Sequence, residues 1–135
     1  GASTVDREFR ADVALGDGQT FIGDSLYYGK PLSDGFYPLV NAADLQNSNC
    51  DPRAFVRGSG IAGKIVVCED AGDPEYQAEG IRNGKGVGMI IVNGDDRREE
   101  LEAEPHYIFP TTRVSQSSGE EIKKYIRQTR NATAN

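Results

Sequence analysis

The stretch from Ile61 to Gly94, IAGKIVVCEDAGDPEYQAEGIRNGKGVGMIIVNG, limits what this chain can fold into more than any other part of it. Ile65, Val66 and Val67 form a short apolar, β-branched run bounded by glycines and a charged turn, and a second run follows from Val87 to Val92. The segment between them is long enough for a crossover helix. Parallel strands cannot be joined by a tight turn, so Asp73–Asn83 is read as the crossover that covers one face of a sheet. Asp73 suits a helix cap, and Pro74 suits the first helical position, where its missing N–H costs nothing. Tyr76 and Ile81 are expected on the buried side. A dinucleotide-binding fold would repeat this unit. This chain does not: hairpin patterns precede it, and one more short strand and a terminal helix follow.

Earlier in the chain, Val13 and Leu15 alternate with smaller residues, Gly16-Asp17-Gly18-Gln19 reads as a turn centred on Asp17-Gly18, and Thr20-Phe21-Ile22 begins a return strand. Asp24–Tyr28 either continues that sheet or leaves it. Gly29–Pro38 is a loop punctuated by Pro31, Gly35 and Pro38, and Leu39-Val40 is a short apolar point suited to an edge strand. Asn41–Asp51 is turn-like. A short helix is expected over Asp51–Gly58, capped by Asp51, with Phe55 and Val56 inward. Beyond the central unit, Asp95–Glu104 reads as a solvated acidic run, since it lacks the ligand spacing and glycine hinge of a calcium loop. Tyr107–Phe109 and Thr111–Val114 are strand candidates. Ser118 and Glu121 have capping-box spacing, and Ile122, Tyr125 and Ile126 fall on one helical stripe, with fraying expected in Arg127–Asn135.

The 135 residues fit one domain spanning residues 1–135. A net charge of −6 with no basic tract argues against a nucleic acid backbone or an anionic membrane surface as partner. No apolar run approaches the roughly 20 residues needed to cross a bilayer. Gly1 follows no apolar leader, so the chain reads as a mature product or an excised fragment.

Catalytic chemistry finds little support. His106 is the only histidine, between Pro105 and Tyr107, and is read as a structural residue. No serine lies in a G-x-S-x-G elbow. Gly84-Lys85-Gly86-Val87-Gly88 precedes a strand, whereas phosphate cradles follow one, so it is read as a helix stop with close backbone approach. Cys50 and Cys68 are the only cysteines, too few with one histidine for a compact zinc site, and no cofactor is expected. A reduced buried pair and a disulfide both fit their count. Asn131-Ala132-Thr133 is a glycosylation sequon, informative only in a secreted protein.

The landmarks taken together carry a resemblance. Thr4–Phe9, Val13-x-Leu15-Gly16-Asp17-Gly18, Phe21-x-Gly23-x-Ser25-Leu26-Tyr27, Pro38-Leu39-Val40, Cys50, Gly63–Cys68, Gly86–Ile90, and His106 with Pro110 and Val114 occur in order over nearly the whole chain. This pattern resembles the protease-associated domain of plant subtilisin-like serine proteases. Lys85 departs from it, standing where a second glycine is usual, and the tract from His106 to Pro110 is one residue longer.

The resemblance implies a mixed α/β, three-layer β/β/α fold, a partly open β-barrel flanked by short helices. It implies a non-catalytic domain inserted in a secreted endopeptidase, whose catalytic residues lie outside it; the G-T-S-M and H-G-T-H motifs are absent from this chain. It implies a Cys50–Cys68 disulfide. Its expected work is protein contact with the catalytic body, a second protomer or a substrate, through the Tyr27–Tyr37 loop and its aromatic residues Tyr27, Tyr28, Phe36 and Tyr37. The isolated domain is expected to be monomeric, and the location secreted, in the apoplast, cell wall or vacuole. A free-standing peptide-binding module, such as the lumenal part of a vacuolar sorting receptor, is the alternative, and a small hydrolase or aminopeptidase is a third class.

Overall fold

A computed structural model describes residues 12–25, 35–52, 60–72, 74–93 and 109–135. The central unit has the expected form. Strand β5 (Ile65–Glu69) leads through helix α1 (Pro74–Asn83) to β6 (Gly88–Val92), parallel to it with Ile65 opposite Gly88 and Glu69 opposite Val92. Pro74 is the first helical residue. The buried stripe of α1 differs from expectation: Gln77, Ala78 and Ile81 face the sheet, while Tyr76 is exposed. At 100° per residue, Ala78 and Ile81 share a face, and Tyr76 is turned away from it.

The sheet extends to both sides of this unit. Strands β3 (Asp24–Ser25), β7 (Thr111–Val114), β6, β5, β4 (Tyr37–Asn41) and β8 (Thr133–Ala134) lie side by side in that order. Strand β4 is therefore an interior strand, parallel to β5 and antiparallel to β8. The residues expected to fray supply its second neighbour. The predicted hairpin forms, β1 (Val13–Ala14) against β2 (Thr20–Phe21), around a turn with Gly18 at φ 96°. Its first strand continues the ladder past β8, with Leu15 bridged to Ala134 and two backbone hydrogen bonds joining Ala14 and Asn135.

The strand order thus runs β2-β1-β8-β4-β5-β6-β7-β3, and its two ends are separated in sequence only by Ile22 and Gly23. Three peptide steps reach at most about 10 Å, so the ladder has to curl until its ends nearly meet. The result is the half-open barrel flanked by helices. Asp24 leaves the hairpin rather than continuing it.

Alternation along β5 divides the apolar residues between two cores. Ile65 and Val67, with Leu39, Ile90, Val92 and Val114, pack against the inner residues of β1 and β8 and against helix α2 (Gln116–Gln128). Val66 and Cys68, with Met89 and Ile91, pack against Ala78 and Ile81 of α1, Ile61 and Phe109. Helix α2 presents Ile122 and Tyr125 as buried residues and Ile126 as a partly buried one. Its cap is Ser115, not Ser118: the Ser115 hydroxyl accepts from the Ser118 amide at 3.1 Å. Gly119 lets α2 sit close to β6, since a Cβ there would lie 2.3 Å from Val92 Cγ1. Lys123 reaches across to Glu69 of β5 at 2.5 Å.

The glycine-rich segment after α1 is the predicted helix stop. The amide of Gly86 donates to the Ile81 carbonyl and that of Lys85 to the Arg82 carbonyl, the paired bonds of a Schellman motif. Lys85 occupies its left-handed position at φ 71°. An L-residue is strained there by about 1–2 kcal/mol, part of which glycine's greater unfolded-state freedom offsets. Lys85→Gly should therefore stabilise the protein by about 0.5–1 kcal/mol, read as a higher urea midpoint at unchanged slope. A lower midpoint would contradict this.

Most of the helix expected over Asp51–Gly58, the acidic run Asp95–Glu104, His106 and most of Tyr107–Phe109 lie outside the described residues.

Candidate protein-interaction surface

The register of four neighbouring strands sorts their side chains into an inner and an outer face. Tyr37 lies opposite Ala134, which is bridged to Leu15, and all three contribute to the first core. Val13 and its partner Phe21 also turn inward. One residue along, the facing set reverses, because the side-chain period of a strand is two. Phe36 aligns with Asn135, Asn135 with Ala14, and Ala14 with Thr20, giving a row that points outward. Ile22, two residues beyond Thr20, points the same way.

This outer face carries the two most exposed large apolar side chains among the described residues, Ile22 at 67% and Phe36 at 57%. Thr20, Asn135 and Asp12 are also exposed and Ala14 is half-buried, so the apolar pair stands in a polar surround. That is the composition of a contact surface with a few apolar anchors and a polar rim.

Among the described residues singled out in the sequence for contact, Phe36 is exposed. Tyr37 belongs to β4 and is partly buried against the first core, because the C-terminal strand turns its position inward. It is not an exposed loop residue. Tyr27 and Tyr28 lie outside the described residues. Ile22 was not singled out. The nearest signal for it was the alternation Thr20-Phe21-Ile22, which places Ile22 opposite in facing to Phe21.

Cys50 and Cys68 form a disulfide with a Cα–Cα distance of 5.7 Å, both fully buried in the second core. Gln77 completes this corner. Its Nε2 donates to the Asn49 and Glu69 carbonyls at 2.7 and 2.8 Å, and its Oε1 accepts from the Ala71 amide. A carboxamide 1% exposed is thus fully used in tying α1 to the segments before Cys50 and after Cys68. Asn131 is exposed in the turn before β8. Among the described residues, no group of three or more His, Cys, Asp or Glu side chains is placed to hold a metal ion, and no helix is long and apolar enough to cross a membrane.

Residues 35–122 match the family model of the PA domain. Subtilisin-like protease SBT1.4 of Arabidopsis thaliana is 38% identical over 135 residues, covering 99% of this chain and 17% of the relative. The CO(2)-response secreted protease of the same plant is 27% identical over 144 residues, covering 98% of this chain and 18% of the relative. The chain therefore spans less than a fifth of the length of these relatives. Among solved structures, an aminopeptidase from Aneurinibacillus sp. strain AM-1 superposes with a TM-score of 0.64 at 12% identity, covering 98% of this chain and 36% of that one. At that identity the likeness is one of fold.

Proposed function

The chain belongs to the PA domain family, and from that membership we propose that it is the non-catalytic protein-contact domain of a secreted plant subtilisin-like endopeptidase. Residues 1–135 act as one domain. The similarity to plant subtilisin-like proteases over 99% of the chain, hairpin included, favours such a protease over a free-standing receptor module. It also supports a place in the secretory pathway; the apoplast, cell wall or vacuole is the destination we propose. The isolated domain is monomeric, because its partner surface is completed by the rest of the protease.

The observation that carries the contact role is the outward row holding Phe36, with Ile22 on the same face. The partner is the protease body, with a second protomer or a protein substrate as the other occupants to be tested. An aromatic anchor at the centre of such an interface contributes about 1–2 kcal/mol or more, so Phe36→Ala should weaken association with the complementary protease body about tenfold, and Ile22→Ala severalfold. Titration calorimetry or sedimentation checks this. Unchanged affinity in both variants would remove this face as the contact surface, and a tight dimer of the chain alone would overturn monomeric behaviour.

A further inference from the structure

We propose that Asn131 carries an N-linked oligosaccharide and that it is attached before β8 enters the sheet; the first half rests on the secretory placement proposed above. In the transfer, the Asn131 Nδ2 bonds to the anomeric carbon of the sugar. The bond from that carbon to the oxygen of a lipid-linked diphosphate breaks, the diphosphate leaves with the electron pair, and one amide proton passes to base. The sequon requires the Thr133 hydroxyl as well as the Asn131 carboxamide.

The folded chain treats these two residues differently. Asn131 is exposed in its turn, so a bulky, solvated group there meets no packed neighbour. Thr133 is committed: its amide donates to the Tyr125 hydroxyl at 3.2 Å, and its carbonyl accepts from Gly16 at 3.0 Å. Its hydroxyl oxygen stands 2.3 Å from where a Cβ on Gly16 would be, packed over that residue. Between them, the Ala132 carbonyl accepts from Leu39, and the Ala132 side chain is in the first core. An enzyme that needs Asn131 and Thr133 together in an accessible segment has to displace an interior strand. The acceptor is therefore open in the unfolded chain and closed in the folded one, while the product is compatible with both.

The test uses purified oligosaccharyltransferase with a lipid-linked oligosaccharide, acting on the folded 135-residue chain and on the same chain with both cysteines reduced and alkylated. The alkylated chain should be modified to an extent at least about tenfold greater, the opening of an interior strand being the barrier in the folded chain. Circular dichroism establishes that the alkylated chain is unfolded, and urea is added to a level the enzyme tolerates where it is not. Asn131→Gln and Thr133→Ala should abolish the mass step, and Thr133→Ser should keep it. No modification of the unfolded chain would overturn the site, and equal modification of the folded chain would overturn the order of events. Expression through the secretory pathway of plant cells adds the remaining arm. A secreted chain whose mass is unchanged by peptide N-glycosidase, though its unfolded form is an acceptor in vitro, would overturn the modification in the natural protein. A chain retained in the cytosol would instead sink the secretory placement on which the modification rests.

Discussion

Replacing Cys50 and Cys68 together by alanine should lower stability by about 3 kcal/mol, and reduction of the wild-type chain should cost a similar amount. The two residues are 18 apart in sequence, and closing a loop of that size removes about 3 kcal/mol of conformational freedom from the unfolded chain in the entropy model. Both sulfurs are buried, so their removal also deletes contacts from the second core. For a domain of this size the loss corresponds to a fall in Tm of about 10 °C or more. Urea unfolding in oxidising and reducing buffer measures it directly. The double variant should be insensitive to reductant, and a wild-type midpoint that does not move under reduction would refute the expectation.

Ile122→Ala should cost about 2–5 kcal/mol, the range for truncating a fully buried aliphatic side chain that leaves a cavity. Ile122 is 0% exposed and lies in the first core with Ile65, Val92 and Val114. The site cannot easily collapse. Gly119 already brings α2 as near to Val92 as contact permits, and Lys123 ties the next turn to Glu69, so the helix has little room to settle into the gap. Ile22→Ala is the comparison: a side chain 67% exposed should change stability by no more than about 0.5 kcal/mol. Equal effects from the two substitutions would show that the first core does not carry the stability assigned to it.

The parts of this fold that could be read from residues are those fixed by local chemistry. Pro74 at a first helical position, the Gly18 turn and the glycine-rich stop after α1 each owe their conformation to neighbours within a few residues. The parts misread depend on distant partners. Thr133-Ala134 is two residues long and has no intrinsic preference strong enough to announce a strand; it is one because Tyr37-Pro38 on one side and Leu15 on the other supply its hydrogen bonds. That same strand turned Val40's neighbourhood from edge to interior and left Tyr37 partly buried against the first core. Ser115, Ser117 and Ser118 all offer capping oxygens, and only the end of β7 at Val114 decides that the first of them is used. The proposed contact face was half legible. Phe36 stood out as an aromatic residue in a loop, but that Ile22 shares its face follows only from the register across β2, β1, β8 and β4.

The pairing of Ala14 with Asn135 sets how this domain responds to mechanical load. Strands β1 and β8 are antiparallel, so Asp12 and Asn135 emerge side by side from the same end of the pair. Tension that separates these two points acts on the Ala14–Asn135 bonds first, then on the Leu15–Ala134 bridge, then on the Gly16–Thr133 bond, each in turn. Bonds loaded one after another yield at far lower force than bonds sheared together. Pulled at this seam, the domain opens like a zip, and the inner residues Val13, Leu15 and Ala134 are the first of its core to meet water.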